Sequence, residues 1–331
     1  MDPIIEQTFG VRKPIKPFAI IVIIMAIVFC YILSVFFISP FGFTKTNPNG
    51  IYIDVKDGMG AKQVATLLYN NGVISSPAAF VAIVSLLGNE NNISTGVYLF
   101  KKSVNIFTAE RRIVGADYQI EAKKITFPEG FTNKQVAERL EANLPLFNKS
   151  VFMNLASTTE GYLYPETYFF SPSDDEEVIY KKMTNTFKEQ TKDLAPSFAK
   201  SKMTEKDIVI MASILEREVK SKEDKQIVSG ILWDRIKNKM VLQVDATLAY
   251  ERDKDSYTLT SADLKDDSPY NTYTRRGLPP TAISNPGYDA IYAALNPTQN
   301  NYVYFLTDRE GKVYYAKTYA EHLKNKAKYI K

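Results

Sequence analysis

Between Phe18 and Ile38 the chain runs twenty-one residues without a charged side chain, almost all of them apolar. A helix needs roughly 20 apolar residues to cross the hydrocarbon core of a bilayer, so this segment predicts a membrane-spanning helix over 18–38. It is too long for the apolar part of a cleaved leader, and Ser39-Pro40-Phe41 offers no small-x-small cleavage site. Beyond a linker at 39–50 the pattern changes to short periodic runs. Ile51 to Val55 alternates as a strand, and Val64, Leu67 and Leu68 fall at helical spacing. Pro77 to Leu87 suggests another helix and Gly96 to Phe100 another strand, so 51–120 reads as a small α/β module. From 121 to 331 the pattern predicts a strand over 120–127 and a helix from Asn133 to Leu140. Helices are expected at 176–194, 204–220 and 222–239, and strands at 302–307 and 313–316 turn at Asp308 to Gly311. The expected fold class is α+β: one spanning helix, a small module, then a mainly helical domain with a few short strands.

Charge sets the direction of the anchor. Arg12, Lys13 and Lys16 precede the apolar run, whereas Lys45 is the first cation after it. The positive-inside rule therefore keeps residues 1–17 in the cytoplasm and places the body outside it, with the chain held at the cell membrane. The only cysteine, Cys30, lies inside the run, and the only histidine is His322. Zinc or iron sites of the His/Cys kind and Cys–His nucleophiles are thereby disfavoured, and no cofactor is implied. A formal net charge of +4, spread along the chain, gives no sign of a nucleic-acid partner.

Two glutamates on the helix expected over 204–220 differ in their surroundings. Glu218 follows Leu215, Ile214 and Met211 by three, four and seven positions, which places it on an apolar face. Glu216 falls almost opposite, with Lys220 four residues on, the arrangement of a solvated pair worth a few tenths of a kcal/mol. A carboxyl in a partly apolar cleft has its ionised form disfavoured and can hold a proton near neutrality, as a general acid requires. A buried ion pair would place Glu218 equally well. Other segments carry aromatic and amide side chains on stiff backbone, suited to stacking on and bonding a carbohydrate: Glu160 to Tyr168 with Glu166, Leu242 to Thr247 with Gln243 and Asp245, and Tyr270-Asn271-Thr272-Tyr273. Gly277-Leu278-Pro279-Pro280, Asn285-Pro286-Gly287 and the segment around His322 complete the set. Each segment alone is more often an ordinary turn whose aromatics pack the core.

Taken in order, these segments resemble the endolytic murein transglycosylases, the MltG or YceG-like family. Met211 to Glu218 (MASILERE) is similar to that family's ASIxEKE signature, and the other segments follow at compatible spacings over most of 125–325. Residues 51–120 are similar, more loosely, to the LysM-like subdomain that follows the anchor in these proteins. Arg217 stands where Lys is common, Val244 and Ala246 where Ser/Thr and Pro are, and Thr281 where Gly is frequent. The resemblance implies internal cleavage of peptidoglycan glycan strands between N-acetylmuramic acid and N-acetylglucosamine, leaving 1,6-anhydro ends. It also implies association with the wall-synthesis machinery. By motif position Glu218 is the catalytic acid and then base. Glu166, Gln243, Asp245, Tyr270, Asn271, Tyr273, Asn285 and His322 are the expected substrate-binding residues. Two alternatives stand beside this reading: a hydrolytic muramidase using Asp245 or Glu166 as second carboxylate, and an inactive wall-binding scaffold.

Overall fold

The computed structural model describes residues 17–37, 50–254 and 258–329. Apart from Pro17 and Gly50, the expected cytoplasmic N-terminus and the linker over 39–50 lie outside these residues. The fold mixes helices with short strands and is mostly helical, and the chain divides into two compact units, 1–120 and 121–331.

In the first unit, helix α1 runs from Pro17 to Phe37. Its described side chains, Phe18 and Ile20 to Tyr31, are exposed. Among the described residues no helix is long and apolar enough to cross a membrane, so the spanning expectation rests on the sequence. Strand β1 (Ile51–Val55) pairs antiparallel with β2 (Gly96–Phe100), Ile53 lying opposite Tyr98. Between them come α2 (Ala61–Asn70) and α3 (Pro77–Leu86), the latter started by Ser76, whose hydroxyl accepts the Ala79 N–H. Helix α4 (Ile106–Val114), not expected from the pattern, closes the unit. Val64, Leu68, Phe80, Phe100 and Ile106 fill a core with the alternate strand residues Ile53 and Val55.

Among the described residues the second unit holds two apolar clusters. Around one of them lie β3 (Lys123–Thr126), α5 (Asn133–Asn143), α6 (Lys149–Leu155), β4 (Thr167–Phe170) and α7 (Glu176–Gln190). Strands β3 and β4 pair antiparallel, with Ile125 opposite Tyr168. The single helix expected over 176–194 is in fact α7, a 3₁₀ turn at Lys192–Leu194, and α8 (Ala195–Lys200). The break falls before Pro196, which cannot supply a backbone N–H to a continuing helix. Around the other cluster lie α9 (Glu205–Glu218), α10 (Lys222–Lys237), α11 (Asp245–Arg252) and α12 (Tyr288–Leu295). The antiparallel hairpin of β5 (Tyr304–Thr307) and β6 (Val313–Ala316) follows, and α13 (Tyr319–Tyr329) packs on it.

Helix α9 is the centre of this cluster, packed by α10, α11 and α12. Thr204 starts it: its hydroxyl accepts the Asp207 N–H, and the Asp207 carboxylate accepts the Thr204 N–H in return. Every residue from Ile208 to Leu215 is buried, so α9 has no solvent face along its middle. Burying each large apolar side chain here contributes roughly 1.5–3 kcal/mol. The helix stops at Glu218 because Val219 is extended, with φ −142° and ψ 148°.

Candidate functional site

The early end of α9 changes the relation between its two glutamates. Lys220 lies past the extended Val219, so the expected Glu216–Lys220 pair does not form. Glu216 is instead buried: one oxygen accepts from Lys225 Nζ of α10 at 2.7 Å and the other from the Gly287 N–H at 3.0 Å. Its side chain is 9% exposed and that of Lys225 7%. Glu216 therefore clamps α9 to α10 and to the start of α12. The assumption of a single apolar face fails because α9 is enclosed on every side.

Glu218, at the helix end, is half-buried. Burial pushes its carboxyl up to about 7, and the negative charge of Asp245 adds to the rise. The Ala246 N–H, which donates to the carboxyl, and the Arg217 guanidinium oppose it. Burial wins. The Glu218 carbonyl, one of the groups a helix end leaves without an intrahelical donor, accepts the Thr307 hydroxyl of β5 at 3.1 Å.

The partners of Glu218 come from the start of α11 and the loop after it. Val244, the residue preceding α11, donates its N–H to Thr272 Oγ1 at 2.9 Å, and the Thr272 hydroxyl also contacts the Val244 carbonyl and Thr247. Gln243 holds a left-handed φ of 55°, is exposed, and donates its N–H to the Thr272 carbonyl. Asp245 is exposed and accepts the Tyr273 hydroxyl at 2.5 Å. Burial raises the Tyr273 phenol, and the charges of Asp245 and Glu218 both raise it further. Glu218, Asp245 and Tyr273 thus form one electrostatic cluster. The Arg235 guanidinium senses Tyr273 and Tyr304, and it donates to the Leu242 and Val303 carbonyls, tying the segment before Gln243 to the residue that precedes β5.

The remaining expected residues occupy different positions. His322 stacks on Tyr304 with ring centroids 5.4 Å apart, and Tyr304 is the ring that Arg235 covers at 5.4 Å. Burial and nearby Lys326 and Arg235 lower the His322 imidazole. Tyr270 packs its ring on Tyr250 and its hydroxyl on Thr281 Oγ1. Asn271 is fully buried: its amide nitrogen donates to the Leu264 and Asp266 carbonyls, and its oxygen accepts the Tyr273 N–H. Asn285 is likewise turned inward, accepting the Gly161 and Leu163 N–H groups and donating to Phe131 O and Asn133 Oδ1. Glu166 is exposed and accepts the N–H of its own neighbour Thr167. No hydrogen bond or ion pair among the described residues joins it to the Glu218 cluster.

The buried carboxyl of that segment is Glu160, which was not among the expected site residues. It accepts the Asn133 N–H at 2.9 Å and the Tyr250 hydroxyl at 3.1 Å. Burial pushes it up to about 7, against those two donors and Arg217. Its proximity to an aromatic run was a signal, but spacing alone did not distinguish Glu160 from Glu166. Two carboxyls therefore sit near neutrality beside Arg217. Both Glu160 oxygens are occupied by donors, whereas Glu218 borders the exposed Asp245.

A model of the YceG-like family matches residues 53–328. The chain belongs to the YceG-like family. A curated relative from Bacillus subtilis (strain 168), an endolytic murein transglycosylase, is 29% identical, the match covering 86% of each chain. Two from Streptococcus pneumoniae, strains D39 and R6, bear the same name and are 26% identical. Those matches cover 85% of this chain but only 58% of each pneumococcal protein. The crystal structure of a YceG-like protein from Listeria monocytogenes aligns with a TM-score of 0.56 and 29% identity, covering 84% of this chain and 99% of that one.

Proposed function

We propose that this YceG-like protein is an endolytic murein transglycosylase, held at the cell membrane by residues 18–38 with its body outside the cytoplasm. Its substrate is the peptidoglycan glycan strand, cut between N-acetylmuramic acid and N-acetylglucosamine without consuming water. The relatives' names support the reaction class. The observation that carries the mechanism is the Glu218 carboxyl, half-buried, raised to about 7 and next to Asp245.

Protonated Glu218 gives its proton to the glycosidic oxygen as the bond to muramyl C1 breaks. The resulting carboxylate takes the proton from the C6 hydroxyl of the same sugar as O6 bonds to C1. The proton count closes on one residue, and the nucleophile is already attached, which well-oriented intramolecular reactions exploit with effective molarities of about 10⁵ M or more. Asp245 keeps Glu218 protonated by its charge, and Tyr273 holds Asp245. Gln243 and the Tyr304–His322 pair offer exposed or half-exposed groups to the sugars, with Glu166 and Tyr270 farther along the surface. Asn271 and Asn285 serve the site by fixing loops. The 51–120 unit is assigned to glycan binding by its LysM-like resemblance, and residues 121–331 to catalysis. Family membership also suggests work alongside wall-synthesis enzymes.

Product analysis tests the reaction. Digestion of purified strands in oxygen-18 water should yield new ends one water lighter than hydrolysis products and free of label. Labelled reducing ends would instead make the protein a muramidase with Asp245 in a second catalytic role, and no cleavage would make it a scaffold. Because Glu218 must start protonated, turnover should fall as pH rises through about 7.

A further inference from the structure

Along the backbone from Tyr273 the chain reads Thr274-Arg275-Arg276-Gly277-Leu278-Pro279-Pro280, and a cleft of about 690 Å³ opens against this run. That is the size of a site for a ligand of several residues, since small-ligand pockets commonly hold roughly 300–1,000 Å³. Its walls are built. Thr272 is bonded to Val244 and Thr247, the Arg276 backbone bridges to Val241, and Leu278-Pro279-Pro280 separates this cleft from a second one of about 400 Å³. Its charge is positive and partly uncompensated. Arg275 donates to Asp267 at 2.8 Å and Asp266 is held by Arg252, but among the described residues no carboxylate pairs with the exposed Arg276. An exposed guanidinium with no carboxylate partner is a carboxylate receptor, because its planar fork matches two carboxylate oxygens.

The position of the cleft says which carboxylate. The Tyr273 hydroxyl reaches the Glu218–Asp245 cluster, and the Arg276 Cα lies three residues farther on, at most about 11 Å from the Tyr273 Cα by chain length. A peptide of three or four amino acids extends as far, at roughly 3.3–3.6 Å per residue. On the proposed substrate, the muramyl sugar at Glu218 carries such a peptide on its lactyl group, with free carboxylates along and at the end of it. We propose that the cleft lined by Thr272, Arg275 and Arg276 receives a carboxylate of this stem peptide, so that the enzyme distinguishes stem-bearing from stripped glycan. This rests on the murein reading above and adds a second recognition element to it.

The test uses the full-length protein in detergent and two uncuttable ligands: the muramyl disaccharide with its stem peptide, and the same disaccharide with the peptide removed. Calorimetry should find the stem-bearing ligand bound about tenfold more tightly, as loss of a charged hydrogen bond implies. Arg276→Gln should abolish that preference and leave the stripped ligand unaffected. Equal or undetectable binding of both ligands, or an equal loss for both in Arg276→Gln, overturns the proposal. So does displacement by glycerol phosphate as effective as by free stem peptide, which would assign the cations to a phosphate polymer. No bond is cut in these measurements, so their outcome is independent of the isotope test of the reaction.

Discussion

Glu218 and Glu216 stand two residues apart on α9, and their substitution by glutamine should separate turnover from stability. Glu218→Gln removes the proposed proton donor while keeping its shape, so cleavage should drop by several orders of magnitude. The same change should raise the melting temperature at pH 8. A carboxyl whose folded value lies near 7, above an unfolded value near 4.3, binds more protons folded than unfolded between those limits. Stability therefore falls as pH rises through that window, and glutamine escapes the loss; at pH 4 the two proteins should melt alike. Glu216→Gln leaves Lys225 buried without its carboxylate, which should cost about 3 kcal/mol in denaturant unfolding while turnover per folded molecule changes less than tenfold. A dead but stable Glu216 variant would reverse these roles. The sequence pattern singled out Glu218 through its apolar neighbours three, four and seven residues back. It misassigned Glu216 because Lys225 belongs to the next helix and only the stop at Val219 removes Lys220 from reach.

Among the elements, α9 and α10 were legible from their long periodic runs, the strands 51–55 and 96–100 from their alternation, and the hairpin of 304–307 with 313–316 from its turn, although its first strand was expected from 302. Helices α11 and α12 were not, for a local reason. Each is eight residues long, and each begins after a residue, Val244 or Gly287, that provides no side-chain cap. Strand β4 was hidden inside an aromatic segment read as a cleft loop. The start of α11 is set instead by Thr272, twenty-eight residues away, through a bond no local pattern contains. Thr272→Val should therefore act on chemistry from a distance. With the Val244 N–H unpaired and α11 loosened, the Ala246 donor to Glu218 weakens, and since that donor lowers the carboxyl, the alkaline limb should move to higher pH. We expect kcat to fall about tenfold, a loss of roughly 1.4 kcal/mol. Thr272→Ser should restore both, whereas an unchanged pH profile in Thr272→Val would detach α11 from the acid.

For the molecule as a whole, the proposed topology makes one demand. If residues 18–38 span the membrane with 1–17 inside, protease added to intact spheroplasts should digest the body, and complete protection would reverse the orientation. Within the second unit, the bond from Thr307 to the Glu218 carbonyl joins residues 89 positions apart. At synthesis rates of about 5–20 residues per second, residue 307 follows residue 218 by roughly 4–18 s. Until then the end of α9 lacks its closing donor, and the β5–β6 hairpin that brings it does not exist. A half-made chain can gather Ile208 to Leu215 into a nascent core, yet its acid is not seated. A cutting enzyme assembled in this order is born blunt and acquires its edge only once the chain has been made past residue 307.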